Sequence, residues 1–130
     1  SILVVDIDDF KQINDTYGHP MGDQVIEMLA AIGQATLRTE DVMGRIGGEE
    51  FLCVLPRIDI EQSQLIAERM IENISKQGVK NEEGDEIFVT ISIGIAELST
   101  DIMDGKALYA NADKALYQAK NAGKNRVVIY

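Results

Sequence analysis

Apolar residues recur along this chain in two periods, and the change from one to the other outlines its elements. Ile2-Leu3-Val4-Val5-Asp6-Ile7-Asp8 opens with an unbroken apolar run, which reads as a central strand covered on both faces. Phe10 to Asp15 predicts a short helix that ends near Tyr17-Gly18. Pro20 and Gly22 lead into a longer helix, roughly Asp23 to Leu37, in which Val25, Ile26, Met28, Leu29, Ile32 and Leu37 fit one broad face. Short apolar segments, Val42 to Ile46 and Phe51 to Leu55, flank Gly47-Gly48. Two glycines there predict a tight hairpin, because glycine accepts the positive φ that such turns demand. Asp59, with Gln62 three residues on, resembles a capping box. The helix it starts buries Ile66, Ala67, Met70, Ile71 and Ile74 and leaves Arg69 off that face. After a turn at Glu83-Gly84-Asp85, Ile87, Val89, Ile91, Ile93 and Ile95 alternate with Phe88, Thr90, Ser92, Gly94 and Ala96. That predicts one long strand with a bulky face and a mostly small face, over which a helix or ligand can come close. Asp104 caps a last helix carrying Leu108, Ala112, Ala115, Leu116 and Ala119, with Gly123 as its stop, and Arg126 to Tyr130 is a closing strand.

The order is β, two helices, β-hairpin, helix, β, helix, β. Without one helix and a minor hairpin arm this is the βαββαβ pattern of a ferredoxin-like α+β fold, a mostly antiparallel sheet flanked by helices. In that topology the first strand lies beside the hairpin, and Asp6 and Glu49 meet at one end of neighbouring strands. At 130 residues, with 45% hydrophobic and 26% charged residues, the chain is a single globular domain. A net charge of −10 argues against non-specific binding to nucleic acid or an anionic membrane surface, so a phosphate ligand has to be held locally. Cys53 is the only cysteine, which leaves no disulfide and no cysteine-built zinc site. No run approaches membrane-spanning length and no signal peptide is visible. The chain enters a strand at Ile2 with no lead-in, which suggests a fragment of a longer protein.

Candidate chemistry gathers at the junctions. Asp6 interrupts the first strand near its end, where a carboxylate is costly unless paired or metal-bound, or is simply a polar terminus. Glu49 and Glu50 follow the two glycines and would repel a bare phosphate, so they suggest a metal or, more blandly, solvated acids. Asn14, His19 and Asp23 are either caps and turn formers or ligand contacts. Arg38, Lys120 and Lys124 stand near helix C-termini, where complementing the helix dipole is their ordinary use.

Taken together these residues resemble a known family. Arg45-Ile46-Gly47-Gly48-Glu49-Glu50-Phe51 is similar to the GGDEF signature of diguanylate cyclases, in its GGEEF form. Asp6 to Lys11, Asn14 to His19, Gly22-Asp23, Ala115 to Lys120 and Gly123 to Asn125 resemble further stretches of that family, in the right order and spacing. Ile46 departs from it, standing where an aromatic residue is common. The family's helix and Asp-x-Leu-Thr-like segment before the first strand are missing, so the expected unit is residues 1–130 of a longer multidomain chain.

The resemblance implies a nucleotidyl-cyclase fold, similar to a polymerase palm, that condenses two GTP into cyclic di-GMP and two pyrophosphates. It implies Mg²⁺ (or Mn²⁺) held by Asp6, the Ile7 carbonyl and Glu49, with Glu50 at a second metal. Glu49 is also the implied base for the 3′-hydroxyl, and Lys11 stabilises transition-state charge. Asn14 and Asp23, with His19 beside them, would read guanine. Gly47 and Gly48 would leave room for the nucleotide, and Lys120 and Lys124 would hold its terminal phosphates. Arg38 and Asp41 match an RxxD inhibitory product site, and Arg69 a further product-binding arginine. The implied setting is cytoplasmic, as a homodimer, with a fused sensor or regulatory domain and no nucleic-acid partner. The alternative is a catalytically silent domain that serves as a cyclic di-GMP receptor or a GTP-binding regulatory module.

Overall fold

The computed structural model describes residues 1–102 and 104–130. Its first strand, β1 (Ile2–Ile7), is central. Helices α1 (Phe10–Tyr17) and α2 (His19–Thr36) follow, then the hairpin of β2 (Val42–Gly47) and β3 (Glu50–Val54), and α3 (Ile60–Lys76). A small pair, β4 (Val79–Lys80) and β5 (Glu86–Ile87), precedes β6 (Ile91–Ala96), α4 (Gly105–Asn121) and β7 (Val127–Ile129). The main sheet runs β2-β3-β1-β6-β7. Its first four strands pair antiparallel in the ferredoxin-like order, and β7 adds parallel to β6 after the α4 crossover.

Strand parity sorts the core into two layers, because successive side chains point to opposite faces. Leu3, Val5 and Ile7 of β1 join Phe10, Val25, Leu29, Met70 and Ile74 from α1, α2 and α3. Ile2 and Val4 join Leu108, Ala112 and Leu116 of α4 on the other face. The expectation that β1 is covered on both sides holds. So does the small face of β6. A Cβ at Gly94 would collide with the Ala112 carbonyl and the Leu116 amide, so α4 lies directly on the β6 backbone.

Three expectations change. The period-two run from Ile87 is not one strand: β5 pairs with β4 as a separate sheet, and only Ile91–Ala96 joins the main one. Helix α2 begins at His19, four residues before Asp23, because Pro20 suits a first helical turn and Gly18, at φ 89, makes the bend from α1. The hairpin turn is Gly48-Glu49, and neither Gly47 nor Gly48 takes a left-handed φ. The turn is relieved instead by a bulge between Arg45 and Gly47. A Cβ at either glycine would meet nothing, so these positions leave an open strip of backbone rather than a packing contact.

Candidate active site

The C-terminal end of β1 lies between its neighbours with Asp6 opposite Glu50 on one side and Ser92 on the other. By parity Asp6 and Asp8 face α4. The last turn of α4 sends Lys120 across to them. Its Nζ lies 3.1 Å from Asp6 Oδ1, 3.3 Å from the Ile7 carbonyl and 2.7 Å from Asp8 Oδ1.

Asp8 is the most enclosed acid here, at 4% exposure, and it is fully satisfied. Thr90 Oγ1 donates to it at 2.6 Å, Ser92 Oγ at 2.7 Å and the Asn125 amide at 3.0 Å, besides Lys120. Burial raises its pKa, but these bonds outweigh burial and hold the carboxyl below its usual range. The Asn125 amide reaches it because Lys124 and Asn125 both take left-handed backbone, at φ 64 and 49. Asp6 has the opposite fate. Burial, with Glu49 and Glu50 nearby, pushes it up to about 6 against the opposing pull of Lys120.

Glu49 and Glu50 diverge from the turn. The phenol of Tyr109 on α4 donates to Glu50 Oε1 at 2.7 Å. That bond, with burial and the charges of Glu50 and Asp113, pushes Tyr109 up to about 12. Glu49 turns to the other side, where its carbonyl accepts from the Ile7 amide at 3.3 Å. There it lines a cavity of about 280 Å³ together with Lys11, Asn14, His19, Asp23 and Gly48, and with Phe10, Ile26 and Arg45. The elbow at Gly18 supplies this convergence, since Lys11 and Asn14 come from α1 and His19 and Asp23 from the first turns of α2. Asn14 Oδ1 is buried and has no hydrogen-bond partner among the described residues. It is seated against Gly22, where a Cβ would displace it.

The family "Diguanylate cyclase, GGDEF domain" matches residues 1–126. The chain belongs to this family. This GGDEF domain is 42% identical over 129 residues to diguanylate cyclase A of Treponema denticola, covering 99% of the chain and 34% of that protein. The GGDEF domain of DgcB from Caulobacter crescentus in complex with c-di-GMP superposes with a TM-score of 0.94 at 34% identity, covering 98% of this chain and 75% of that one. The active GGEEF domain of a diguanylate cyclase from Vibrio cholerae gives 0.91 at 34% identity, covering 99% and 81%. The chain spans about a third of the length of the curated relatives it matches. Among the described residues no helix is long and apolar enough to cross a membrane.

The GGDEF domain keeps Arg38 and Asp41 apart from the Gly48 turn. Together with Gln34, Leu37, Thr39 and Met43 they line a separate cavity of about 330 Å³. The pair is closer than a surface contact. Arg38 donates through Nε and its amide to Asp41 Oδ2 at 3.1 and 2.8 Å, and through Nη2 to Oδ1 at 2.6 Å and to the Pro56 carbonyl at 2.9 Å. The Asp41 side chain is wholly covered. Arg69 stands exposed on α3 and does not line this cavity. Lys124 is paired too, at 2.5 Å from Asp9.

Sequence reasoning missed Asp8, Tyr109 and Arg45. Arg45 lines the Glu49 cavity and donates through Nε to the Gly48 carbonyl at 2.9 Å, bracing the turn. For Asp8 a signal was present, since Asp6 and Asp8 share a face with the small polar Thr90 and Ser92.

Proposed function

We propose that this domain condenses two GTP molecules into cyclic di-GMP with release of two pyrophosphates. The observation that carries the reading is the cavity in which Lys11, Asn14, His19, Asp23, Gly48 and Glu49 converge. The buried Asn14 oxygen without a partner and the Asp23 carboxylate are acceptors, which suits the N1–H and 2-amino donors of guanine. The open backbone at Gly47 and Gly48 admits the nucleotide. Glu49 is placed to take the 3′-hydroxyl proton, and Lys11 to meet charge that develops on the phosphate.

Asp6 and the Ile7 carbonyl offer oxygen donors of the kind a hard divalent cation takes, although among the described residues no three acidic, histidine or cysteine side chains are already gathered for one. Asp6 Oδ1 and the Ile7 carbonyl already converge on one cationic group, the Lys120 ammonium, and Glu49 and Glu50 stand near Asp6. Asp6, the Ile7 carbonyl and Glu49 would hold Mg²⁺ or Mn²⁺, with Glu50 at a second ion. The metal supplies charge neutralisation to phosphoryl transfer, which depends on positioning more than on covalent help. Lys120 and Lys124 serve the terminal phosphates, and each has a carboxylate partner to exchange for them. The test is to incubate the protein with GTP and Mg²⁺, and separately with ATP, and to identify the product. Cyclic di-GMP from GTP alone is expected. Equal turnover of ATP defeats the guanine reading. Binding of cyclic di-GMP without synthesis at any enzyme concentration favours a silent receptor.

We further propose that cyclic di-GMP inhibits at the Arg38–Asp41 cavity, whose arginine fork suits phosphate or a guanine edge. Because Arg38 → Ala alone strands a covered carboxylate, the informative variant removes both charges, Arg38→Ala with Asp41→Asn. It is expected to bind product weakly and lose inhibition while initial turnover survives. Equal binding and inhibition would leave the pair a structural clamp.

A further inference from the structure

The position of the Lys120 ammonium carries a consequence for metal loading. Two of its three oxygen contacts, Asp6 Oδ1 and the Ile7 carbonyl, are the oxygens assigned above to the divalent ion. One place is therefore claimed by two cations. The contacts of Lys120 are unequal. Asp8 holds it at 2.7 Å, on a side chain only 2% exposed that three further donors fix in place. Asp6 accepts a hydrogen bond from Lys120 alone among the described residues, and its carboxylate is 20% exposed. The contact to the Ile7 carbonyl is the longest of the three.

A divalent ion arriving at Asp6 meets a single positive charge that relieves the repulsion among Asp6, Glu49 and Glu50. Two cations cannot share those oxygens without strong repulsion at such distances. The ammonium has to leave the Asp6 side, while the anchored Asp8 side retains it. We propose that Lys120 is an exchangeable internal cation, which occupies the Asp6 and Ile7 oxygens until the divalent metal takes them and is then kept by Asp8 at the site's edge for the nucleotide phosphates. Asp8 is thereby a positioning residue. This rests on the reading of Asp6 and the Ile7 carbonyl as metal ligands, and it adds an order of events: metal entry releases the phosphate-binding lysine.

The experiment is Mn²⁺ binding to the nucleotide-free protein at pH 8, where Asp6 is ionised, by calorimetry or by the spectrum of free Mn²⁺. Four proteins are compared: wild type, Lys120→Met, Lys124→Met and Asp6→Asn. Lys120→Met is expected to bind Mn²⁺ about tenfold more tightly than wild type, the factor set by roughly 1.4 kcal/mol of competing contacts. Lys124→Met removes an equal charge from a pair outside the Asp6 contacts and is expected to stay within about twofold of wild type. If Asp6→Asn binds as wild type does, the metal reading itself fails. If Asp6→Asn loses binding while Lys120→Met binds no more tightly than wild type, the exchange is overturned and the metal reading stands. A tightening equal in both lysine variants also overturns it, as a general charge effect. Should Lys120→Met fail to fold, wild type labelled at the lysine ε-carbons answers the question. Saturating Mg²⁺ is expected to shift the Lys120 signal and leave that of exposed Lys76 in place, and an unmoved Lys120 signal overturns the proposal.

Discussion

Glu49 and Glu50 leave one turn toward different neighbours, and their substitutions should differ accordingly. Glu49 faces the cavity and has no protein hydrogen bond to its carboxylate among those described, so Glu49→Gln is expected to leave the thermal midpoint unchanged. Removing a general base costs about 10²- to 10⁴-fold in rate, and near-normal cyclase activity at equal folding would remove Glu49 from that role. Asp41 is a stability residue as well as a candidate ligand. Burial raises its pKa, but the side-chain and amide hydrogen bonds from Arg38, with its charge, outweigh burial and hold the carboxyl below its usual range. A carboxylate depressed in the folded state contributes stability above its unfolded pKa, about 3.9, and loses it as pH falls through the folded value. Urea titrations should therefore show wild type exceeding Asp41→Asn most at pH 7, with the gap closing below about pH 4. A gap that widens in acid would contradict this. The family resemblance marked Arg38 and Asp41 as an RxxD site, while the sequence by itself offered helix-dipole complementation as the ordinary use of Arg38. For Asp8 it offered no more than a shared face with Thr90 and Ser92, because that residue's donors lie 82, 84, 112 and 117 positions away and only the fold brings them together.

At the level of elements, two glycines position the site by what they exclude. Gly94 lets α4 rest on β6, and that contact fixes the height at which Lys120 and Tyr109 reach β1 and β3. Gly94→Ala would push its Cβ into backbone atoms that cannot rotate away, and a loss of about 3 kcal/mol is expected in denaturant titrations, at the upper end for overpacking. Gly22→Ala meets a side chain instead. It should fold, yet displace Asn14 and raise the KM for GTP about tenfold, the cost of a hydrogen bond lost at the base. An unchanged KM would separate Asn14 from guanine recognition. Element types were legible because each helix carries a broad apolar face and β1 an unbroken apolar run. Boundaries failed where one residue admits two uses. Pro20 reads as a breaker but sits inside the first turn of α2. The period-two run through Val89 shows only that alternate side chains are buried, and burial of Ile87 and Val89 in the core serves that pattern without a place in the main sheet.

For the molecule as a whole, each chain brings Lys11, Asn14, Asp23 and Glu49 to a single cavity, which on the proposed reading holds one nucleotide. Joining two GTP molecules into a ring makes two bonds. In each, the 3′-hydroxyl of one nucleotide attacks the α-phosphate of the other. The reactants are equivalent, so the arrangement that serves both bonds is a two-fold axis with one loaded site on each side. The edge of β2 is bulged and exposed and the backbone at Gly47-Gly48 is open, which supports a pairing of two chains across this face. A net charge of −10 on each chain opposes that approach, and the opposition weakens with added salt. The pairing is therefore expected to be weak and transient in this domain. Specific activity should rise with enzyme concentration across the dilute range and level off once pairs predominate. Moderate salt should move the midpoint of that rise to lower protein concentration. Mixing Glu49→Gln with wild type should lower the activity per wild-type chain, because a mixed pair closes only one of the two bonds. Sedimentation and initial rates measured on the same dilution series supply the check. A flat specific activity, from a chain that stays monomeric throughout, would mean that both bonds are made within one subunit and would overturn the half-site reading.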